Sequence, residues 1–145
     1  MSKLRLFFLI ILLPMIFFGC ETNNPVPEVY VNFMIELNSP LYNSLNSVGS
    51  SIIVPNEGYK ERGVIITRAD FDKFVAYDAT CTYDPQDAWG RVEIDKTGII
   101  AFDKNCQSKF SLLLDGSVMQ GPASIPLKMY TVVYNPNVNT LVIHN

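Results

Sequence analysis

The feature that most constrains this chain is its punctuation. From Ser51 onward, turn-forming residues cut short apolar runs every few positions. "NEGYKER" follows "SIIVP", Ala69-Asp70 separates "GVIITRA" from "FDKFVAYDA", and "DKTG" interrupts "RVEIDKTGIIAFD". Asp115-Gly116 sits inside "KFSLLLDGSVM", and Asn135 to Asn139 inside "LKMYTVVYNPNVNTLVIHN". Gly, Asp and Asn supply the positive-φ corners of tight hairpins, and Pro55 ends a strand because it has no N–H to give a ladder. This spacing leaves no room for a long amphipathic helix. It predicts an all-β domain of short strands, an antiparallel sandwich or small barrel. Upstream, "VYVNFMIEL" (Val29 to Leu37) alternates in part and reads as a first strand. "NSPLYNSLNSVGSS" reads as loop with room for one helical turn around Leu41 to Leu45. No internal repeat or low-complexity tract is visible, and 145 residues suffice for one domain with a modest core.

The front of the chain has another character. In "MSKLRLFFLIILLPMIFFGC", Lys3 and Arg5 precede an apolar run from Leu6 to Phe18, and Gly19 places a small residue before Cys20. A run of this length is short for a membrane span of about 20 apolar residues and has the layout of an export signal. "FFGC" resembles a bacterial lipobox, in which cleavage falls before the cysteine and the thiol is then acylated. Phe18 is larger than usual at its position, and the alternative is an ordinary signal with Cys20 incidental. The polar, proline-bearing "ETNNPVPE" that follows has the composition of a tether. The expected division is a lipoprotein signal peptide over 1–19, a tether over 20–28 and a β domain over 29–145. The implied location is the cell envelope, with the outer membrane favoured because Glu21 carries no clear inner-membrane retention signal. Removal of 1–19 takes away Lys3 and Arg5 but no acid, leaving nine basic residues against fourteen acidic ones, a net charge of −5. An acidic domain with no basic run argues against nucleic acid and against electrostatic docking on anionic lipid.

Three segments carry a family resemblance. "YDATCTYDP" (Tyr77 to Pro85), "DKNCQSKF" (Asp103 to Phe110) and "LDGSVMQGPASIPLKMY" (Leu114 to Tyr130) resemble the two cluster loops and the following segment of the Rieske iron–sulfur domain. The resemblance spans roughly Val64 to Tyr134, with "GVIITRADFDKFVAYDATC" as its opening strands. In that family two cysteines hold one iron of a 2Fe–2S cluster and two histidines the other. Here Cys81 matches the first cysteine and Tyr83 falls where its histidine belongs. Asp103 takes the place of the second cysteine, Cys106 that of the second histidine, and Gln107 that of a glycine. Ser108 matches a serine that donates to cluster sulfur, and Gly121, Pro122 and Ala123 match the covering proline loop. The chain contains one histidine, His144, so two imidazoles cannot be supplied by a monomer. The resemblance therefore implies a Rieske-like fold without its 2Fe–2S cofactor.

The resemblance brings the two loop tips together, which sets Cys81 facing Cys106. A disulfide there is one expectation, formed in an oxidising compartment and stabilising the domain by roughly 3.5 kcal/mol through loop closure. Two free buried thiols packing as small apolar groups are the alternative. A mixed-donor metal site of Cys81, Tyr83, Asp103 and Cys106 competes with both, although its set differs from the thiolate and imidazole sets of structural zinc and clusters. A redox-active dithiol lacks the local Cys-x-x-Cys spacing.

The remaining candidates have bland readings beside sharper ones. Ser108 without a cluster is expected to satisfy a loop backbone group. Trp89 in "PQDAWG" is read as a packed loop anchor rather than a binding platform, and His144 as a terminal surface residue. Asp78, Asp84 and Asp87 flank the first loop. They are read as solvated turn residues, with cation binding as the alternative. No Ser-His-Asp set and no phosphate-cradling glycine loop is present, which leaves a hydrolase reading without support. The sequence thus points to a non-enzymatic, lipid-anchored structural or interaction module with an unidentified protein partner. The alternatives are a divergent Rieske-type electron carrier and an accessory subunit of an envelope complex.

Overall fold

The computed structural model describes residues 23–145. Cys20 and the expected signal peptide lie outside the described residues. Among the described residues ten strands follow one another: β1 (Asn32–Glu36), β2 (Ser51–Val54), β3 (Val64–Arg68), β4 (Phe74–Asp78), β5 (Val92–Ile94), β6 (Ile100–Asp103), β7 (Lys109–Ser111), β8 (Val118–Gln120), β9 (Met129–Asn135) and β10 (Thr140–His144). Two short 3-10 segments, Pro40–Asn46 and Tyr59–Glu61, complete the list, the first of them over the expected helical turn. None of the described helices is long and apolar enough to cross a membrane.

The strands form two antiparallel sheets. One has six strands in the order β1-β10-β9-β4-β3-β2, the other four in the order β5-β6-β7-β8. The larger sheet thus takes its strands from both ends of the chain, and the smaller one from the middle. The all-β expectation holds. The β4–β5 and β6–β7 loops meet at Cys81 and Cys106, and the segment after β8 joins them where Ala123 N–H bonds Ser108 Oγ.

β3 and β4 show why the fold closes. "VIIT" and "FVAY" are nearly continuous apolar runs, the mark of a strand covered on both faces. Val64 and Ile66 of β3, with Phe74 and Ala76 of β4, enter one core with Leu45, Leu141 and Ile143. Ile65, Val75 and Tyr77 enter a second core with Val92, Ala101, Phe110, Leu112 and Leu127. Period-2 alternation therefore sorts one strand pair between two cores. Cys81 and Ala123 belong to the second core, so the candidate loops are rooted in packed apolar side chains.

Two expected turns differ in extent. The corner before β4 is a bend over Asp70 to Lys73, with Ala69 N–H bonded to the Lys73 carbonyl, so the strand starts at Phe74. The Asp115-Gly116 corner is tight, with both φ values positive (51° and 67°), yet β7 and β8 stop short of it. Leu112 N–H still bonds the Ile99 carbonyl, one step beyond the β6–β7 pairing in the same register, and the residue is fully buried. Gly116 has a second reason to be glycine, since a Cβ there would lie 3.0 Å from Tyr77 Cε1 and from Leu127 Cβ. Tyr77 itself donates to the Leu112 carbonyl at 3.0 Å. Burial, with the Asp115 charge adding to it, pushes its hydroxyl pKa up to about 12.

The described end of the expected tether lies on the domain. Asn24 donates to the Pro126 carbonyl, and Val26 is buried. The buried Lys128 ammonium bonds the Pro27 carbonyl at 2.8 Å and pairs with Glu28 at 3.0 Å.

Candidate functional site

The site is built by two loops and a lid. Cys81 leaves β4 with its N–H bonded to the Gly90 carbonyl at 2.9 Å, which closes the β4–β5 loop on itself. Asp103 ends β6, and its backbone is bonded on both sides: its N–H to the Ser108 carbonyl at 3.0 Å, its carbonyl to Gln107 N–H at 2.9 Å. The Asp103 carboxylate folds back on the β6–β7 loop, where Oδ1 accepts from Asn105 N–H at 2.7 Å and Cys106 N–H at 3.2 Å. A carboxylate accepting two successive amides is a local turn device, and here it fixes where Cys106 stands.

These loops bring Cys81 Sγ and Cys106 Sγ to 3.5 Å. That is a thiol–thiol contact between two free cysteines, well beyond the roughly 2.05 Å of an S–S bond. The structure therefore meets the juxtaposition part of the disulfide expectation, while the bond itself is not made. One Asp103 oxygen and the two sulfurs all lie within 4.8 Å of one another. Cys81 and Asp103 are buried, and Cys106 is half-buried. Burial pushes the Cys81 thiol well above its usual pKa; the Tyr83 backbone N–H offsets part of this, and the neighbouring Asp103 and Cys106 add to it.

Ser108 is the link to the lid. Its Oγ accepts from the Cys106 thiol at 3.1 Å and from Ala123 N–H at 2.9 Å, and Ser108 is fully buried. Ala123 follows the cis Gly121–Pro122 bond in the proline loop. Ser108→Ala is expected to cost about 1–2 kcal/mol, because the buried Ala123 N–H loses its acceptor. Alkylation of Cys106 should accelerate at least threefold in that variant. Unchanged stability and unchanged alkylation would show that the hydroxyl holds nothing.

The other expected residues divide. Tyr83, placed at a histidine position by the resemblance, is 56 % exposed. Trp89 is 78 % exposed, which corrects its reading as a packed anchor: only its backbone is held, by Asp87 Oδ1 at 3.0 Å. Asp84 and Asp87 are turn residues, Asp84 accepting from Gln86 and Asp87 amides, and Asp87 also bonds Asn105 Nδ2 across to the second loop. Asp78 corrects the solvated-turn reading, since it is fully buried and accepts from Tyr59 N–H, Tyr130 hydroxyl and Thr80 N–H. His144 lies on β10 in the six-stranded sheet, paired in register with Asn32 and Thr131.

Arg62 was invisible to sequence reasoning. Its buried guanidinium donates to the carbonyls of Pro85, Gly90 and Asp87, gathering the β4–β5 loop around one cation. Three backbone acceptors distant in the chain leave no local pattern to read. The faint signal is an arginine before Gly63, the residue that precedes β3.

A two-iron cluster of the Rieske kind takes four side chains, two of them imidazoles. The loop tips offer two thiols and one carboxylate, and that carboxylate already accepts two amides. The residues present do not fit that group.

No family model and no curated protein matches the chain. Solved structures do. A ferredoxin of Sphingomonas yanoikuyae is similar at 20% identity and TM-score 0.46, over 70% of this chain and 93% of that one. The ferredoxin of carbazole 1,9a-dioxygenase from Nocardioides aromaticivorans is similar at 14% identity and TM-score 0.45, over 69% and 90%. A chain in the complex of reduced oxygenase and oxidized ferredoxin of carbazole 1,9a-dioxygenase is similar at 16% identity and TM-score 0.46, over 67% and 90%.

Proposed function

We propose that this chain is a Rieske-like domain working without a two-iron cluster, as a non-enzymatic interaction module tied to the cell envelope by lipid on Cys20. The observation that carries the reading is the donor set at the loop tips, Cys81, Cys106 and Asp103 with no imidazole, on a scaffold that is otherwise well packed. Two large aromatic side chains on the β4–β5 loop, Tyr83 and Trp89, are exposed. Exposed tyrosine and tryptophan on a rigidly held loop suit a protein partner. Packing of Val26 and the Asn24–Pro126 bond support an anchored arrangement. Asn24 is four chain steps from Cys20, a reach of at most about 14 Å, which would hold the domain close against the membrane.

In this reading Cys81 and Cys106 latch the two loops. In an oxidising compartment each thiol gives up its hydrogen, an S–S bond forms, and two electrons pass to a disulfide acceptor that leaves as two thiols. The sulfurs need to approach by about 1.5 Å to bond.

Protein isolated from the envelope without reductant should contain iron far below one atom per chain and lack visible absorbance. It should also show no free loop thiol by mass after alkylation. Two irons per chain would overturn the cluster-free reading. Two alkylated loop cysteines would remove the latch and leave the rest standing.

A further inference from the structure

The three donors are arranged more tightly than a latch requires. With the two sulfurs 3.5 Å apart, an ion at the roughly 2.3 Å of a Zn–S bond from each would see them at an angle of roughly 100°, close to tetrahedral. The carboxylate oxygen lies within 4.8 Å of both sulfurs, so a shift of about 1 Å brings it into a shared coordination sphere. We propose that, when the thiols are reduced, Cys81, Cys106 and Asp103 form a binding site for a single thiophilic divalent ion of the Zn²⁺ class.

The chemistry of the surroundings fits such an ion. Two sulfurs and one carboxylate oxygen are a set that Zn²⁺ accepts in tetrahedral geometry, whereas hard ions such as Mg²⁺ and Ca²⁺ avoid sulfur. Both hydrogen bonds to Asp103 fall on Oδ1, and a monodentate ligand needs one oxygen for the metal. Ser108 Oγ stands 3.1 Å from Cys106 Sγ. Since that oxygen already accepts from Ala123 N–H, its own hydrogen is free to be donated once the sulfur is a thiolate. The half-buried Cys106 gives the site a side open to solvent, where a water completes four ligands. On binding, two thiol protons leave to water. Disulfide formation removes both sulfurs as ligands, so the ion and the S–S bond are mutually exclusive states of one site. The proposal rests on this geometry and is independent of the lipid anchor and of the interaction role.

The test is titration of the reduced full chain with Cd²⁺, in a Cys20→Ala background so that the loop cysteines are the only thiols. The ultraviolet sulfur-to-cadmium band should saturate at one ion per chain, and Zn²⁺ should displace it. Oxidised protein should show no band. Asp103→Asn should weaken binding about tenfold or more, and Cys81→Ser or Cys106→Ser should abolish it. Should a serine variant misfold, protection in the unmutated loops decides: saturating Zn²⁺ is expected to slow alkylation of both cysteines at least tenfold. A reduced chain with no saturating band, or Zn²⁺ that leaves alkylation unchanged, overturns the site. Asp103→Asn binding at full affinity overturns the three-donor assignment.

Discussion

Asp78→Ala is expected to cost the domain about 3–5 kcal/mol, roughly a fifth or more of the stability of an ordinary domain. The carboxylate is fully buried at the end of β4, where it collects three donors from three places. Tyr59 N–H approaches Oδ2 at 2.7 Å from the 3-10 segment, the Tyr130 hydroxyl reaches the same oxygen at 2.7 Å from β9, and Thr80 N–H bonds Oδ1 at 2.9 Å from the start of the β4–β5 loop. Alanine leaves all three without an acceptor in a place water enters poorly, and that orphaning is the larger penalty. Burial, then the Asp78 hydrogen bond and charge, raises the Tyr130 pKa, so the variant should also titrate Tyr130 at lower pH than the parent. Gly58 belongs to the same cluster: its φ is +75°, and a Cβ there would stand 2.7 Å from Asp78 Oδ2. Chemical denaturation with a midpoint shift worth less than about 1 kcal/mol would show that the three donors find other acceptors.

Arg62→Met should lower the opening free energy of the β4–β5 loop by about 2 kcal/mol, with a smaller change in global stability. Methionine keeps the apolar stem and deletes the forked donor, so the effect isolates the bonds to Pro85, Gly90 and Asp87. The Gly90 carbonyl is the decisive partner, because it also receives Cys81 N–H. Loosening it frees the loop that positions the thiol. A 2 kcal/mol change corresponds to about a 30-fold rise in the open population, read as faster alkylation of Cys81 in the reduced protein. Equal alkylation rates in variant and parent would mean that the loop is held by its own turns and not by the cation.

These two residues mark where sequence reading stopped. The run "YDATCTYDP" shows Asp78 and Asp84 as similar acids beside a turn, and locally they are alike. One is buried under Tyr59 and Tyr130, and the other caps amides at the loop surface. What separates them is the pairing of β4 with β9, more than fifty residues away, which no window around Asp78 contains. Trp89 failed for the same reason: a large indole favours burial, yet its side chain stays exposed on a loop whose course is set by Arg62 reaching in from a distant segment. A Cβ at Gly90 would already meet the Asp84 carbonyl at 2.6 Å.

The all-β class was written in the chain itself, because turn chemistry is local: Asp115-Gly116 and Asn135 to Asn139 bend the backbone whatever surrounds them. The composition of the loop-tip donors was equally readable, since the chain carries one histidine and the resemblance sets Cys81 and Cys106 on facing loops. Only the tertiary structure decided the rest, namely the 3.5 Å between the sulfurs, the exposure of Tyr83 away from the Asp103 carboxylate that joins them, and the burial of Asp78 and Arg62. Backbone corners depend on the φ and ψ that a few neighbouring residues permit. Burial and donor geometry depend on segments that meet only when two sheets close over a shared core.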